Sequence, residues 1–219
     1  MSATGGALAL GARGAAAQAV CVLVHGRGQS PEVMQAHVLA RLSAPSAAFI
    51  LPRAPTGAWY EGRAIEPKSA VTEAELAASI DHLARVLAAA RTLHPGRPLL
   101  LAGFSQGACL CIEYCCLGLP APEALVAFTG CRVGVATDAR PEKLRSALPV
   151  YLSGGDADPW IPVGAFADAA LSLGRAGAML RADLFPGRGH EVSDPEIRML
   201  EAMLADLVAG RRPGMGASR

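Results

Sequence analysis

The sequence lacks any uninterrupted apolar run approaching the ~18 residues of a membrane-spanning helix, so no integral membrane segment is expected. It also lacks net charge. Lys and Arg total 20 against 19 Asp and Glu, a formal balance of +1, which implies no strong attraction to nucleic acid or to an anionic membrane surface. The first residues, Met1 to Gln18, are small and Ala/Gly-rich. They carry no basic segment ahead of an apolar one and are interrupted by Arg13, so no signal peptide is expected. Without a secretory signal, the six cysteines (Cys21, Cys109, Cys111, Cys115, Cys116 and Cys131) argue against a disulfide framework and for a reducing cytoplasm. Cys109, Cys111, Cys115 and Cys116 crowd one segment, but paired C-x₂-C spacing and a nearby histidine are missing. Zinc ligation therefore yields to a plainer reading, small buried hydrophobes on a core helix.

What is present suits one domain of the larger single-core kind: 219 residues, 52% of them hydrophobic. A core over about 19–210 is expected, with flexible ends at 1–6 and 212–219. Apolar, β-branched runs mark strands at Ala19 to Val24, Ala47 to Leu51, Pro98 to Ala102, Ala124 to Phe128, Leu148 to Leu152 and Ala178 to Phe185. Ala7 to Leu10 reads as a short antiparallel strand before them. Helical patterns lie between. Pro31 to Leu42 follows Ser30 as cap, and Thr72 to Leu93 opens on a Thr72/Glu75 capping box. The elbow helix spans about Gln106 to Leu117, a short helical piece Pro141 to Arg145, and a further helix Pro162 to Leu173. The last runs from Asp194-Pro195 to about Gly210. This alternation predicts an α/β fold, a doubly wound, mostly parallel sheet of about six or seven strands flanked by helices, with no cap domain. In such sheets ligands bind at the carboxyl ends of the strands, where the glycine-rich loops of this chain fall.

One of those loops carries the sharpest signal. Leu99 to Ala102 runs into Gly103-Phe104-Ser105-Gln106-Gly107 and then into the Cys-rich helix. This is strand, sharp turn, helix in the G-x-S-x-G pattern, which holds a serine hydroxyl out at the sheet edge and at the positive end of a helix. A hydroxyl is a weak nucleophile at neutral pH and needs a histidine base, itself oriented by a carboxylate. The only histidine after Ser105 is His190, in the loop Pro186-Gly187-Arg188-Gly189-His190. Asp156 and Asp158 alone among the downstream carboxylates follow a strand and precede a helix in a turn. Asp158 is favoured, because Pro159 holds the residue before it extended. Asp156 suits the turn itself. The N–H of Gln106 is one donor for an oxyanion, and the N–H of Arg27, between Gly26 and Gly28 in the loop after an earlier strand, is the second. His25 reads as a buried loop anchor, and His37, His82 and His94 as surface or structural residues. The 52–68 loop carries Trp59 and Tyr60, which either line an acyl pocket or cap the core.

Four blocks together resemble the phospholipase/carboxylesterase family of α/β-hydrolases, the small lidless group that includes acyl-protein thioesterases and bacterial carboxylesterases. They are Leu23-Val24-His25-Gly26-Arg27-Gly28, Gly103-Phe104-Ser105-Gln106-Gly107-Ala108, Gly155-Asp156-Ala157-Asp158-Pro159-Trp160-Ile161-Pro162 and Gly187-Arg188-Gly189-His190-Glu191-Val192. The family's G-x-x-D-x-x-[IV]-P pattern, counted from Gly155, implies Asp158 as the acid. The resemblance further implies Ser105 as nucleophile, His190 as base, Arg27 and Gln106 at the oxyanion, and Trp59, Tyr60 and Trp160 near substrate. It implies hydrolysis of small to medium acyl esters through an acyl-serine, with no metal or organic cofactor, in a monomer or homodimer. Arg27-Gly28 resembles a bacterial subgroup; the thioesterase branch more often has an apolar residue at 27. Thr129-Gly130-Cys131 departs from a more usual Ser-Gly pair. Thioesterase or lysophospholipase activity on the same site is the nearest alternative, and a non-catalytic ligand-binding member of the fold is the alternative of another class.

Overall fold

A computed structural model of the chain describes residues 6–216. The flexible ends expected from the sequence fall partly outside this range, at 1–5 and 217–219. Seven strands form one sheet: β1 (Leu8–Gly11), β2 (Ala19–Val24), β3 (Ala47–Leu51), β4 (Leu99–Phe104), β5 (Ala124–Phe128), β6 (Pro149–Gly155) and β7 (Met179–Phe185). Their order is β1-β3-β2-β4-β5-β6-β7, and only the β1/β3 pair is antiparallel. The architecture is that of the α/β-hydrolases. Five helices cover the sheet: α1 (Pro31–His37), α2 (Ala70–Leu93), α3 (Gln106–Cys116), α4 (Val163–Arg175) and α5 (Asp194–Val208). None of them is long and apolar enough to cross a membrane.

The continuous apolar runs of the central strands have a simple cause: both faces are covered. Along β2, Val20, Val22 and Val24 pack into the core beneath α2, α3 and α4, while Ala19, Cys21 and Leu23 pack into the core beneath α1 and α5. Each buried Val or Leu side chain stabilises the fold by roughly 1.5–3 kcal/mol. The helix α3 is buried on every side, which explains its composition. All six cysteines are free and buried, so those of α3 do serve as small apolar fillers.

Several boundaries differ from the sequence reading. The first helix stops at His37 rather than Leu42, and Leu39–Arg41 forms a separate 3₁₀ turn. Val38 between them is fully buried with φ stretched to −117°, so core packing overrides local pattern. The cap of α2 is Ser69, whose Oγ accepts from Thr72 N at 3.1 Å. Glu75 instead accepts from Glu61 N at 2.8 Å, tying the 52–69 loop to the helix. Residues 141–145 are not helical. The Pro141 carbonyl is taken by Arg132 Nη2 at 2.8 Å, and Lys143 N donates to Cys116 O at 2.8 Å. The tail through Gly216 is pinned rather than frayed: Gly214 N donates to Asp206 Oδ2 at 2.8 Å and Arg181 Nη1 to Gly216 O at 2.7 Å.

An ion pair inside the core was not foreseen. Glu113, on the otherwise apolar α3, accepts from Arg132 Nε at 2.7 Å and Nη2 at 3.1 Å, and from Val133 N at 2.9 Å. Arg132 is the largest fully buried side chain and also reaches Ser172 Oγ at 2.5 Å. Removing one partner strands a buried charge. Glu113→Ala is expected to lower the unfolding free energy by about 3–5 kcal/mol in urea titration, whereas Glu113→Leu with Arg132→Met together cost much less. A loss below about 1 kcal/mol in the single variant would show that the pair does not hold this loop.

Candidate active site

The parallel strands deliver their following loops to one edge of the sheet, and there the sequence-distant candidates meet. Strand β4 ends in a turn at Ser105 with φ 55° and ψ −123°. Such backbone costs a non-glycine residue about 1–3 kcal/mol. It is held from both sides: Ser105 N donates to Phe128 O at 2.9 Å and Cys109 N to Ser105 O at 3.0 Å. The flanking glycines are needed because main chain crosses close by. A β-carbon on Gly103 would lie 2.5 Å from Gly107 O, and one on Gly107 would lie 2.4 Å from Val24 O and 2.5 Å from His25 O.

Ser105 Oγ lies 2.8 Å from His190 Nε2, and His190 Nδ1 lies 2.8 Å from Asp158 Oδ2. Asp158 is buried, and its other oxygen accepts from Trp160 N at 2.8 Å and Ile161 N at 3.0 Å. That carboxylate therefore has a fixed direction, and it holds the proton of the histidine on Nδ1, leaving Nε2 free to accept from the serine. Asp156 points elsewhere: its Oδ1 accepts from Gly187 N at 2.6 Å, joining the turns after β6 and β7. Other downstream aspartates have arginine partners, Asp168 with Arg140, Asp183 with Arg181 and Asp194 with Arg41.

A cavity of about 280 Å³ opens beside Ser105, with Arg27, Tyr60, Ile161, Trp160 and Gln106 among its walls. A larger cleft of about 840 Å³ lies at the opposite end of the strands, around Arg97, Arg145 and Arg212, with none of these groups in it. Chemistry, not volume, locates the site. Arg27 and Gln106 line the same cavity as Ser105, and among the described residues neither main-chain N–H has a hydrogen-bond acceptor. Trp160 stands 58% exposed at the cavity mouth, with the Arg63 guanidinium 6.0 Å from its ring centre. Tyr60 forms part of the wall. Trp59 does not: it is buried under the loop, its indole N–H donating to His25 O at 2.8 Å. Both rings of that pair are buried in the core, and Tyr60 alone also lines the cavity.

His25 is fully buried. Its Nε2 accepts from Ala54 N at 3.0 Å, which leaves Nδ1 to donate to Gly26 O at 2.7 Å. Desolvation lowers its pKa, so it stays neutral as an anchor of the loop. His82, against Trp59 at 6.0 Å, is lowered for the same reason.

Sequence reasoning missed the support behind His190. Arg188 is buried, with Nη1 3.1 Å from Thr129 Oγ1 and also donating to Glu191 O, and Nη2 3.5 Å from Glu196 Oε1. Glu196 is fully buried, accepts from Ser153 Oγ, and closes a capping box with Ser193 N at 2.7 Å. The Gly-Arg-Gly-His block displayed Arg188, but nothing local showed that its charge faces inward.

A family model described as phospholipase/carboxylesterase matches residues 8–207. The solved structure of a phospholipase/carboxylesterase from Dyadobacter fermentans DSM 18053 is similar at 25% identity and TM-score 0.77, covering 91% of this chain and 95% of its own. That of esterase PE8 is similar at 27% identity and TM-score 0.75, covering 91% and 97%. Acyl-protein thioesterase 2 of Zea mays shares the fold at 19% identity and TM-score 0.75, covering 93% and 99%. No curated protein matches the chain.

The neutral histidines make a prediction about pH. A lowered folded-state pKa means that the unfolded chain binds more protons as pH falls from about 6.5, so stability is full above that value and declines below it. Urea midpoints measured from pH 8 to pH 5 should fall on the acid side, and His25→Asn should flatten that fall.

Proposed function

The chain belongs to the phospholipase/carboxylesterase family of α/β-hydrolases, and on that premise we propose that it is a serine carboxylesterase acting on small to medium acyl esters. The observation that carries the reading is the continuous contact from Asp158 through His190 to Ser105, two hydrogen bonds of 2.8 Å each. His190 Nε2 takes the Ser105 proton as Oγ attacks the ester carbonyl. The oxygen of the tetrahedral adduct gathers negative charge, and the N–H groups of Arg27 and Gln106 receive it. Asp158 stabilises the imidazolium that forms and keeps its ring in register. His190 then gives its proton to the departing alkoxide, leaving an acyl-serine. Water repeats the sequence in reverse: His190 takes its proton, the hydroxide oxygen bonds the acyl carbon, and Ser105 leaves with the proton restored.

The cavity supports the choice of substrate. At about 280 Å³ it falls just below the ~300–1,000 Å³ usual for small-ligand sites, so short acyl groups fit better than long lipid chains. Thioesters would use the same atoms, with a thiolate leaving instead of an alkoxide.

Labelling with a fluorophosphonate, read by intact mass, should add one adduct to wild type and none to Ser105→Ala. No adduct on folded wild type would favour a binding protein on this fold. Ser105→Ala and His190→Ala should lose turnover of p-nitrophenyl butyrate by similar factors, because the groups act as a unit. Asp158→Asn should cost about 10³–10⁴-fold while leaving the fold intact, by loss of tautomer control. Asp156→Asn should cost far less; the reverse ranking would assign the acid to Asp156.

A further inference from the structure

The two residues proposed as oxyanion donors also use their side chains, and both side chains end on the same atom. Arg27 Nη2 donates to Tyr60 O at 2.9 Å, and Gln106 Nε2 donates to that oxygen at 2.6 Å. A carbonyl oxygen has two lone pairs, and here both are taken. Each side chain makes a second bond to the same segment. Arg27 Nη2 also reaches Gly62 O at 2.5 Å, and Gln106 Oε1 accepts from Trp59 N at 3.0 Å. The segment is in turn fixed to the body of the protein. Trp59 O accepts from Ser79 Oγ on α2, and Trp59 Nε1 donates to His25 O at 2.8 Å, two residues before Arg27. The result is a closed circuit from the 25–27 loop through residues 59–62 to the start of α3.

We infer that Arg27 and Gln106 are positioning residues through their side chains, and that the Tyr60 carbonyl is the shared peg setting the spacing of the two oxyanion N–H groups. The inference rests on the serine-esterase reading. Its physical ground is that oxyanion stabilisation works only if the donors are in place before charge develops. The Gln106 N–H is carried on a helix, whereas the Arg27 N–H stands between two glycines in a loop tied at its flanks by Gly28 N to Gly57 O at 2.8 Å and Gly26 N to Gln29 Oε1 at 3.0 Å. The Arg27 side chain adds a strut at the residue between those ties. Arginine suits the task, because the two N–H bonds of its Nη2 lie in the guanidinium plane and reach both carbonyls in fixed directions, where an ammonium rotates freely on a flexible stem. An apolar residue at 27 could not make these bonds. Loosening the strut should affect the transition state, where the oxygen is charged, far more than substrate binding, where it is not.

The experiment is a double-mutant cycle on p-nitrophenyl butyrate hydrolysis, with Arg27→Met, Gln106→Met and the pair, all of which keep both backbone N–H groups. Each single variant should lower kcat about tenfold, less than the ~100–1,000-fold for deleting a donor outright, with KM within about twofold. The double variant should be little worse than the worse single, because either change alone frees the peg. Arg27→Lys should recover part of kcat, and it carries the test if Arg27→Met melts below the assay temperature. Losses that simply multiply, a rise in KM at unchanged kcat, or wild-type kcat in both singles would each overturn the clamp while leaving the esterase reading intact. Wild type that neither turns over ester nor takes the fluorophosphonate would remove the esterase reading, and the clamp with it.

Discussion

A close crossing of main chain beneath Ser105 sets the geometry on which the candidate site depends. Where β4 turns into α3, the helix backbone passes so near Val24 and His25 that a β-carbon at 107 would collide with two carbonyl oxygens. The serine takes positive φ because the chain must reverse within that space. Parallel pairing of β4 with β2 and β5 keeps the crossing in place, since the register of Gly103 with Val24 and of Phe104 with Phe128 lies directly below the turn. Strain of this kind persists only when surrounding structure over-determines it, and here fully buried strands on both sides do so.

The histidine side of the site is held differently, by charge rather than by crowding. The 187–190 loop leaves the edge strand β7, the least buried of the parallel strands, so packing alone would hold it weakly. Arg188 and Glu196 turn into the protein beneath it and meet Thr129, just after β5, and Ser153, within β6. This network draws three loops together with polar contacts that are expensive to leave unmade in the interior. Asp158, with three donors on one carboxylate, completes the same pattern. Buried charges thus recur in this fold: Glu113 is hydrogen-bonded to Arg132, and Arg188 is held by Thr129 and the Glu191 carbonyl with Glu196 3.5 Å away.

The family relationship and the physical reading meet at the level of chemistry and part at the level of substrate. A sheet that leaves its carboxyl edge uncovered presents the serine in a small open cavity, whose walls come from the 52–69 loop and the turn after β6. These are the segments in which sequence can vary without disturbing the sheet. The guanidinium groups of Arg27 and Arg63 at that cavity are features of this chain's own loops.

The sequence by itself determined the strand–helix alternation, the bounds of β2, β3 and β5, the elbow motif at Ser105 and the one histidine that follows it. It could do so because buried parallel strands must be continuously apolar, and because a turn this tight needs glycine at set positions; both are local demands. It also narrowed the acid to two aspartates in one turn. The family pattern favoured Asp158, and the folded chain then put His190 Nδ1 against Asp158 and a main-chain N–H against Asp156. Only tertiary structure decided the rest. That Ser69 rather than Thr72 caps α2, that Val38 ends α1, that Trp59 packs inward while Trp160 faces the cavity, and that Arg27 and Gln106 share one carbonyl all depend on residues far away in the chain. Glu113, Arg132, Arg188 and Glu196 look like surface charges in the sequence, because no local pattern records that a partner of opposite sign waits in the core.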